Sequence, residues 1–275
     1  MVRALILAHE PRQARIAGQL NVRFTNRGVI MATWITHLRV SEGIINRCNI
    51  NNIRDFLVGS VAPDSGRLNE DHYTYTPASE ISHYSCHEKG KWQSIDNVFY
   101  NKYVLPNINN DKYSSFLLGY LSHLLTDVLW GHFVYYPTKS RYKSELTNKL
   151  YIWEIKKDWF EKDFEYLQQN PNWEIWNSFR SATYSHEILE YYPTEIVNEK
   201  LEYIKKIYGN GMNEKAPGRY LSDLENDKFI DKAIDILVFA LSNIKSLYEN
   251  ANYTIFENLE HHFKDLCERK WIGDL

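Results

Sequence analysis

The stretch from Phe116 to Phe133, FLLGYLSHLLTDVLWGHF, is strongly apolar yet carries His123, Asp127 and His132. On an α-helix, residues four apart stand one above the other, so His123 and Asp127 share a face. An imidazole and a carboxylate inside an apolar helix need a partner, because an unpaired buried charge is costly. Either the two hydrogen-bond to each other within the core, or a metal ion holds both. Gly119, one turn before His123, leaves out a side chain where a metal or substrate needs room. The metal reading gains ground as further histidines and carboxylates appear upstream.

The 275 residues are enough for one large domain or two small ones. Near-balanced charge, 32 basic against 35 acidic residues, gives no global field for nucleic acid. The 20 Tyr, 12 Phe and 8 Trp allow a large core and aromatic-walled clefts. Cys48, Cys86 and Cys267 are scattered and form neither a disulfide framework nor a metal knuckle. No apolar run is long enough to span a membrane, and ALILA near the start is too short for a signal-peptide core. The chain as written therefore reads as cytoplasmic.

Residues 1–30 differ from the rest: they hold five Arg, no Lys and one acid, Glu10, whereas 19 Lys and 8 Arg follow from Met31 onward. The two parts carry +4 and −7. This break predicts a non-native or disordered extension over 1–30 and a true start at Met31. Helical periodicity is expected from Trp34 to Arg47, with His37 on the apolar face, and from Ile53 to Val61. Pro63-Asp64-Ser65-Gly66 is loop chemistry that frees Asp64 to aim at a site. Residues 67–92 are polar, aromatic and irregular, with His72, His83 and His87. Further helices are expected around Ser94–Leu105, Ser144–Gln169, Trp173–Phe179, Tyr184–Tyr191, Glu195–Tyr208, Lys228–Glu249 and Tyr253–Lys270. Strand-like alternation is nearly absent, so the expectation is a single all-α domain over 31–275.

In chain order the candidates are His37, Asp64, His83, His123, Asp127 and His132, then His186 with Glu190 in HxxxE spacing. Imidazole with carboxylate is zinc chemistry, and open positions on zinc allow hydrolysis. MATWITHLR, FLVGSVAPDSG, ISHY and GYLSHLLTDVLWGHF together resemble the zinc-dependent phospholipase C family, which is related to the single-strand-specific zinc nucleases. The likeness is carried mainly by Met31 to Tyr136. It implies a helical fold around a cluster of up to three zinc ions. By resemblance, Asp64, His83, His123 and Asp127 hold one ion, Asp127 bridges to a second, and His37 helps hold another. A further ion falls to His132 with the His186–Glu190 pair. His132 follows His123 by nine residues, half a turn out of phase, and joins only if the helix ends or bends near Gly131. In the secreted members the freed amino terminus and its Trp also ligate zinc; here Trp34 lies inside MATW.

The resemblance implies hydrolysis of a phosphodiester, such as a phospholipid headgroup, by metal-activated water, with Asp64 as ligand and as the residue that orients or deprotonates the water. Aromatics at the mouth could take a choline-type headgroup by cation–π contact. The expected partners are a small phosphoester or phospholipid, with transient membrane-surface contact, no transmembrane segment and no nucleic acid. Two alternatives stay open: an interaction module whose metal cluster is structural or partly lost, and a zinc-dependent nuclease or nucleotide phosphoesterase.

Overall fold

The computed structural model of the protein describes residues 31–71, 74–88, 91–145, 151–210, 218–249, 254–267 and 272. The expected extension over 1–30 and His72 lie outside the described residues.

The chain is all-α. Helix α1, Trp34–Ile45, buries Trp34, Ile35, Leu38 and Ile44, and His37 is buried among them. Helix α2, Ile53–Gly59, starts at Asn52, whose side chain accepts the Asp55 N–H. A 3₁₀ turn, Ala62–Ser65, then carries Asp64. Strand-like pairing is confined, among the described residues, to two small antiparallel hairpins, β1 (Arg67–Leu68) with β2 (Tyr75–Thr76) and β3 (Ser85–Glu88) with β4 (Lys91–Ser94). A short helix at Ser79–Ser82 between them delivers His83.

Helix α3, Ser114–Trp130, is buried on nearly every side and runs through the middle of the molecule. It passes through a π turn at Gly131–Tyr135 into a further helical turn at Tyr136–Arg141. Of the later helices, α4 (Tyr151–Gln169) packs on α1 and meets α3 through Trp159 on Trp130, and α5 (Glu174–Arg180) packs on α1 and α2. Helix α6 (Thr194–Gly209) packs on the 3₁₀ turn, and α7 (Asp223–Ser242) packs on α1 and α3. Ser222 and Glu225 form a capping box that starts α7 five residues before the position the apolar periodicity suggests.

Two glycines set how α2 meets α3. A Cβ on Gly59 would lie 2.1 Å from the Phe116 carbonyl oxygen, and one on Gly119 would lie 2.1 Å from the Phe56 carbonyl oxygen. The backbones therefore touch directly, glycine of one against carbonyl of the other. This corrects the expected role of Gly119: the space it leaves is filled by α2, not by a metal or substrate.

The segment Tyr184–Tyr191, expected as a helix, is irregular. The Asn198 side chain both accepts the Tyr184 N–H and donates to its carbonyl, which pins that backbone open. Tyr184, Leu189 and Tyr192 are buried as individual anchors rather than as a helical face.

Candidate metal centre

His37 from α1, Asp64 from the 3₁₀ turn, His83 after the short helix, and His123 and Asp127 from α3 converge at one place. Asp127 lies at the centre. Its Oδ1 is 3.3 Å from His37 Nε2, and its Oδ2 is 3.3 Å from His123 Nε2 and 3.9 Å from His83 Nε2. Asp64 Oδ1 is 3.2 Å from His83 Nε2. The His37 and His123 rings stack with centroids 3.9 Å apart. Two overlapping triads result, His37–His123–Asp127 and Asp64–His83–His123, each with its ligand atoms within 4.8 Å of one another.

The outer ring nitrogens decide what the inner ones can do. His123 Nδ1 lies 2.9 Å from the Ser60 carbonyl, and His83 Nδ1 lies 3.2 Å from the Ser79 carbonyl. A carbonyl only accepts, so His123 Nδ1 carries the proton. His83 Nδ1 also has the Ser82 hydroxyl at 3.0 Å, and its Nε2 hydrogen-bonds Asp64. A neutral His123 ring then turns its Nε2 lone pair toward Asp127, a carboxylate that also only accepts. His123 Nε2, Asp127 Oδ2 and both ring nitrogens of His37 are buried without a hydrogen-bond partner. Acceptors facing acceptors in a buried space fit a cation, and this imidazole–carboxylate set is the donor set zinc takes.

Electrostatics follow the same geometry. Burial pushes Asp64 up, but the His83 hydrogen bond and the nearby imidazoles outweigh it and hold the carboxyl well below the usual range. Asp127 is likewise lowered by His123 and His37 against the effect of burial. Burial and His123 depress His37, whereas in His123 the Asp127 and Asp64 charges overcome burial and raise it.

Several contacts aim these side chains. Trp34 Nε1 donates to Asp64 Oδ2 at 2.7 Å, and the Ala32 N–H donates to Asp127 Oδ1 at 2.9 Å. Tyr192 donates to the Pro63 carbonyl beside Asp64, and Tyr120 donates to the Ser82 carbonyl beside His83. Sequence reading foresaw neither tyrosine. Each is one buried Tyr among many until the fold pairs it with a loop.

His132, His186 and Glu190 are not brought to this cluster. Nine residues along α3 turn His132 to the side opposite His123, and the π turn begins only one residue before it. Its Nε2 lies 3.4 Å from the Asp265 carbonyl, and its ring packs on Phe133 and Phe256. His186 and Glu190 lie on the irregular segment, so their four-residue spacing no longer gives a common face. His186 Nε2 instead meets Asp55 at 3.1 Å. Glu190 is bound by Lys102 and Tyr103, which pull its carboxyl down to about 2.

A pocket of about 510 Å³ opens on the outer side of the cluster and is lined by Asp64, His83, Trp34, Tyr203, Lys156 and Lys200 among others. Burial lowers Lys156 to about 8 against the pull of Asp64 and Asp127, and lowers Lys200 against the pull of Asp64. The two lysines also escaped sequence reading. Their signal is a cation in an otherwise apolar or aromatic i, i+4 row: Lys156 with Phe160 on α4, and Ile196 with Lys200 on α6.

No helix among the described residues is long and apolar enough to cross a membrane. Neither the curated proteins nor the solved structures contain a match to the chain. The sequence profile described as zinc dependent phospholipase C matches residues 36–240, which hold all the candidate ligands. With that match over most of its length, and a helical fold converging on histidines and aspartates, the chain belongs to the zinc-dependent phospholipase C family.

Proposed function

We propose that the protein is a zinc-dependent hydrolase of phosphoesters, with a phosphodiester such as a phospholipid headgroup as its substrate. The observation that carries this reading is the set of buried acceptors facing one another beside an open pocket. His37, His123 and Asp127, and Asp64, His83 and His123, would hold the metal. Zinc bound there would supply a Lewis acid and bring the pKa of its water to about 7.

The chain's own residues do the rest. Asp64 is fixed by the Trp34 indole on one oxygen and keeps the other toward His83 and the pocket. It can ligate, and it can also orient the attacking water or take its proton. The Ser60 and Ser79 carbonyls hold the His123 and His83 rings so that Nε2 faces inward. A phosphoester would reach the cluster through the pocket that Asp64 and His83 line.

A second reading follows from burial. His37, His123 and Asp127 are all but removed from solvent, as in a closed structural site of an interaction module. That Asp64 and His83 line the open pocket favours catalysis. The test is zinc content by plasma mass spectrometry with turnover of a phosphodiester. Bound zinc is expected to fall in His123→Ala. Turnover is expected to stop in EDTA and to drop about 10²-fold or more in Asp64→Asn. A chain that takes up no zinc, or keeps full activity in EDTA, overturns the proposal. Bound zinc without turnover of any phosphoester supports the structural reading.

A further inference from the structure

We propose that residues 184–192 clamp the metal centre, with Tyr191 and Tyr192 as positioning residues for His83 and Asp64, the two candidate ligands that line the pocket. This rests on the zinc-hydrolase reading only in taking the cluster to bind metal.

The five candidate ligands are not held alike. His37, His123 and Asp127 stand on α1 and α3, helices of 12 and 17 residues. Asp64 comes from a 3₁₀ turn of 4 residues, and His83 caps a helix of only 4 residues. Elements so short do not fix their own geometry and take it from what packs on them. Residues 184–192 reach both. Tyr192 is buried, and its hydroxyl donates at 2.7 Å to the carbonyl of Pro63, next to Asp64. The Tyr191 hydroxyl donates at 3.2 Å to that of Tyr120, which donates in turn to the carbonyl of Ser82, next to His83. The contact between Asp64 and His83 joins the ends of these two arms.

The residue after His83 shows how firmly that turn is set. Tyr84 has φ of 43°, in the left-handed region that a tyrosine seldom adopts. Such a backbone persists only where its surroundings over-determine it. The Ile95 N–H holds the Tyr84 carbonyl at 2.7 Å. The Tyr84 ring packs against Phe99 and Tyr191, with centroids 5.1 and 6.2 Å away. Tyr191 thus steadies His83 from both sides, through Tyr120 and through Tyr84.

The clamp is itself fastened from outside. His186 meets Asp55 on α2, and Glu190 meets Lys102 and Tyr103. Asn198 on α6 holds the Tyr184 backbone by its N–H and its carbonyl. The pair with HxxxE spacing therefore anchors the two tyrosines that follow it.

The test removes each hydroxyl from the full chain in Tyr191→Phe and Tyr192→Phe, which keep the rings. Tyr142→Phe is the control, because it removes a hydroxyl–carbonyl bond of 2.7 Å, to Arg219, that touches neither turn. Zinc affinity is expected to fall about tenfold or more in the first two variants and to stay unchanged in the control. The visible bands of the cobalt-substituted chain report ligand geometry and are expected to move in the same two variants. A role in packing alone would lower melting temperatures and leave both affinity and bands as they are. If one variant fails to fold, by circular dichroism, the other decides. Unchanged zinc affinity in either folded variant overturns the clamp. A chain that takes up no zinc ends the hydrolase reading, and the His83 ring signals in nitrogen–proton spectra of the metal-free chain then decide. Signals that move in Tyr191→Phe and Tyr192→Phe uphold the clamp, and signals that stay in place overturn it.

Discussion

His123 and His132 sit on one continuous helical run and are both buried, yet their surroundings are opposite. His123 has its Nδ1 fixed by a carbonyl and its Nε2 turned to a carboxylate without a hydrogen bond. His132 points its Nε2 toward a carbonyl and its ring face toward phenylalanines. A carbonyl requires an N–H, and an Nε2 that donates has no lone pair for a metal. His132→Ala is therefore expected to leave zinc per chain unchanged while costing about 1–3 kcal/mol of stability through lost packing. Mass spectrometry and denaturant melts on the same samples check both parts. Loss of zinc in His132→Ala would return that residue to the ligand set. His186→Ala is expected to behave the same way, since its partner is Asp55.

At the scale of elements, the α2–α3 crossing builds the site. Gly59 and Gly119 let the two backbones touch, and the chain leaving α2 then presents the Ser60 carbonyl to His123 one turn further along α3. A methyl at Gly119 would sit 2.1 Å from backbone that cannot swing aside. Gly119→Ala is thus expected to part the helices, cost at least about 1–3 kcal/mol, and lower zinc affinity by releasing the Ser60 contact. Thermal melts and zinc titration read the two effects. An unaltered melting temperature would mean the helices absorb the methyl elsewhere. The HxxxD spacing on α3 was readable from the sequence because helical period alone fixes which side chains share a face. Close approach of two backbones was not: a glycine in a helix marks missing volume and does not say what fills it. The Tyr184–Tyr191 segment escaped for a similar reason. Its conformation is held by Asn198, fourteen residues away from Tyr184, and no local periodicity reports that bond.

For the whole molecule, the ends of the site lie far apart in the chain, and the segment before α1 ties them together. The Ala32 N–H donates to Asp127, 95 residues away, and the Thr33 hydroxyl donates at 2.6 Å to Asp163 on α4, 130 residues away. Tyr208 from α6 donates to the other Asp163 oxygen, so α1, α4 and α6 meet at that carboxylate. Such links bring Lys156 and Lys200 to the pocket, which is why motif spacing near the amino-terminal half located the ligands but not the lysines. The sharp change of composition at Met31 gives the prediction its form. We expect a chain begun at Met31 to keep its melting temperature and zinc content, because Ala32 and Thr33 keep their bonds. A chain whose initiator Met directly precedes Trp34 loses the Thr33 hydroxyl. It takes one of the donors from the buried Asp163 carboxylate, at a cost of about 1–3 kcal/mol. Equal stability of these two shortened chains would show that the segment does not tie the site together, and a lower stability already at Met31 would assign a native role to residues 1–30.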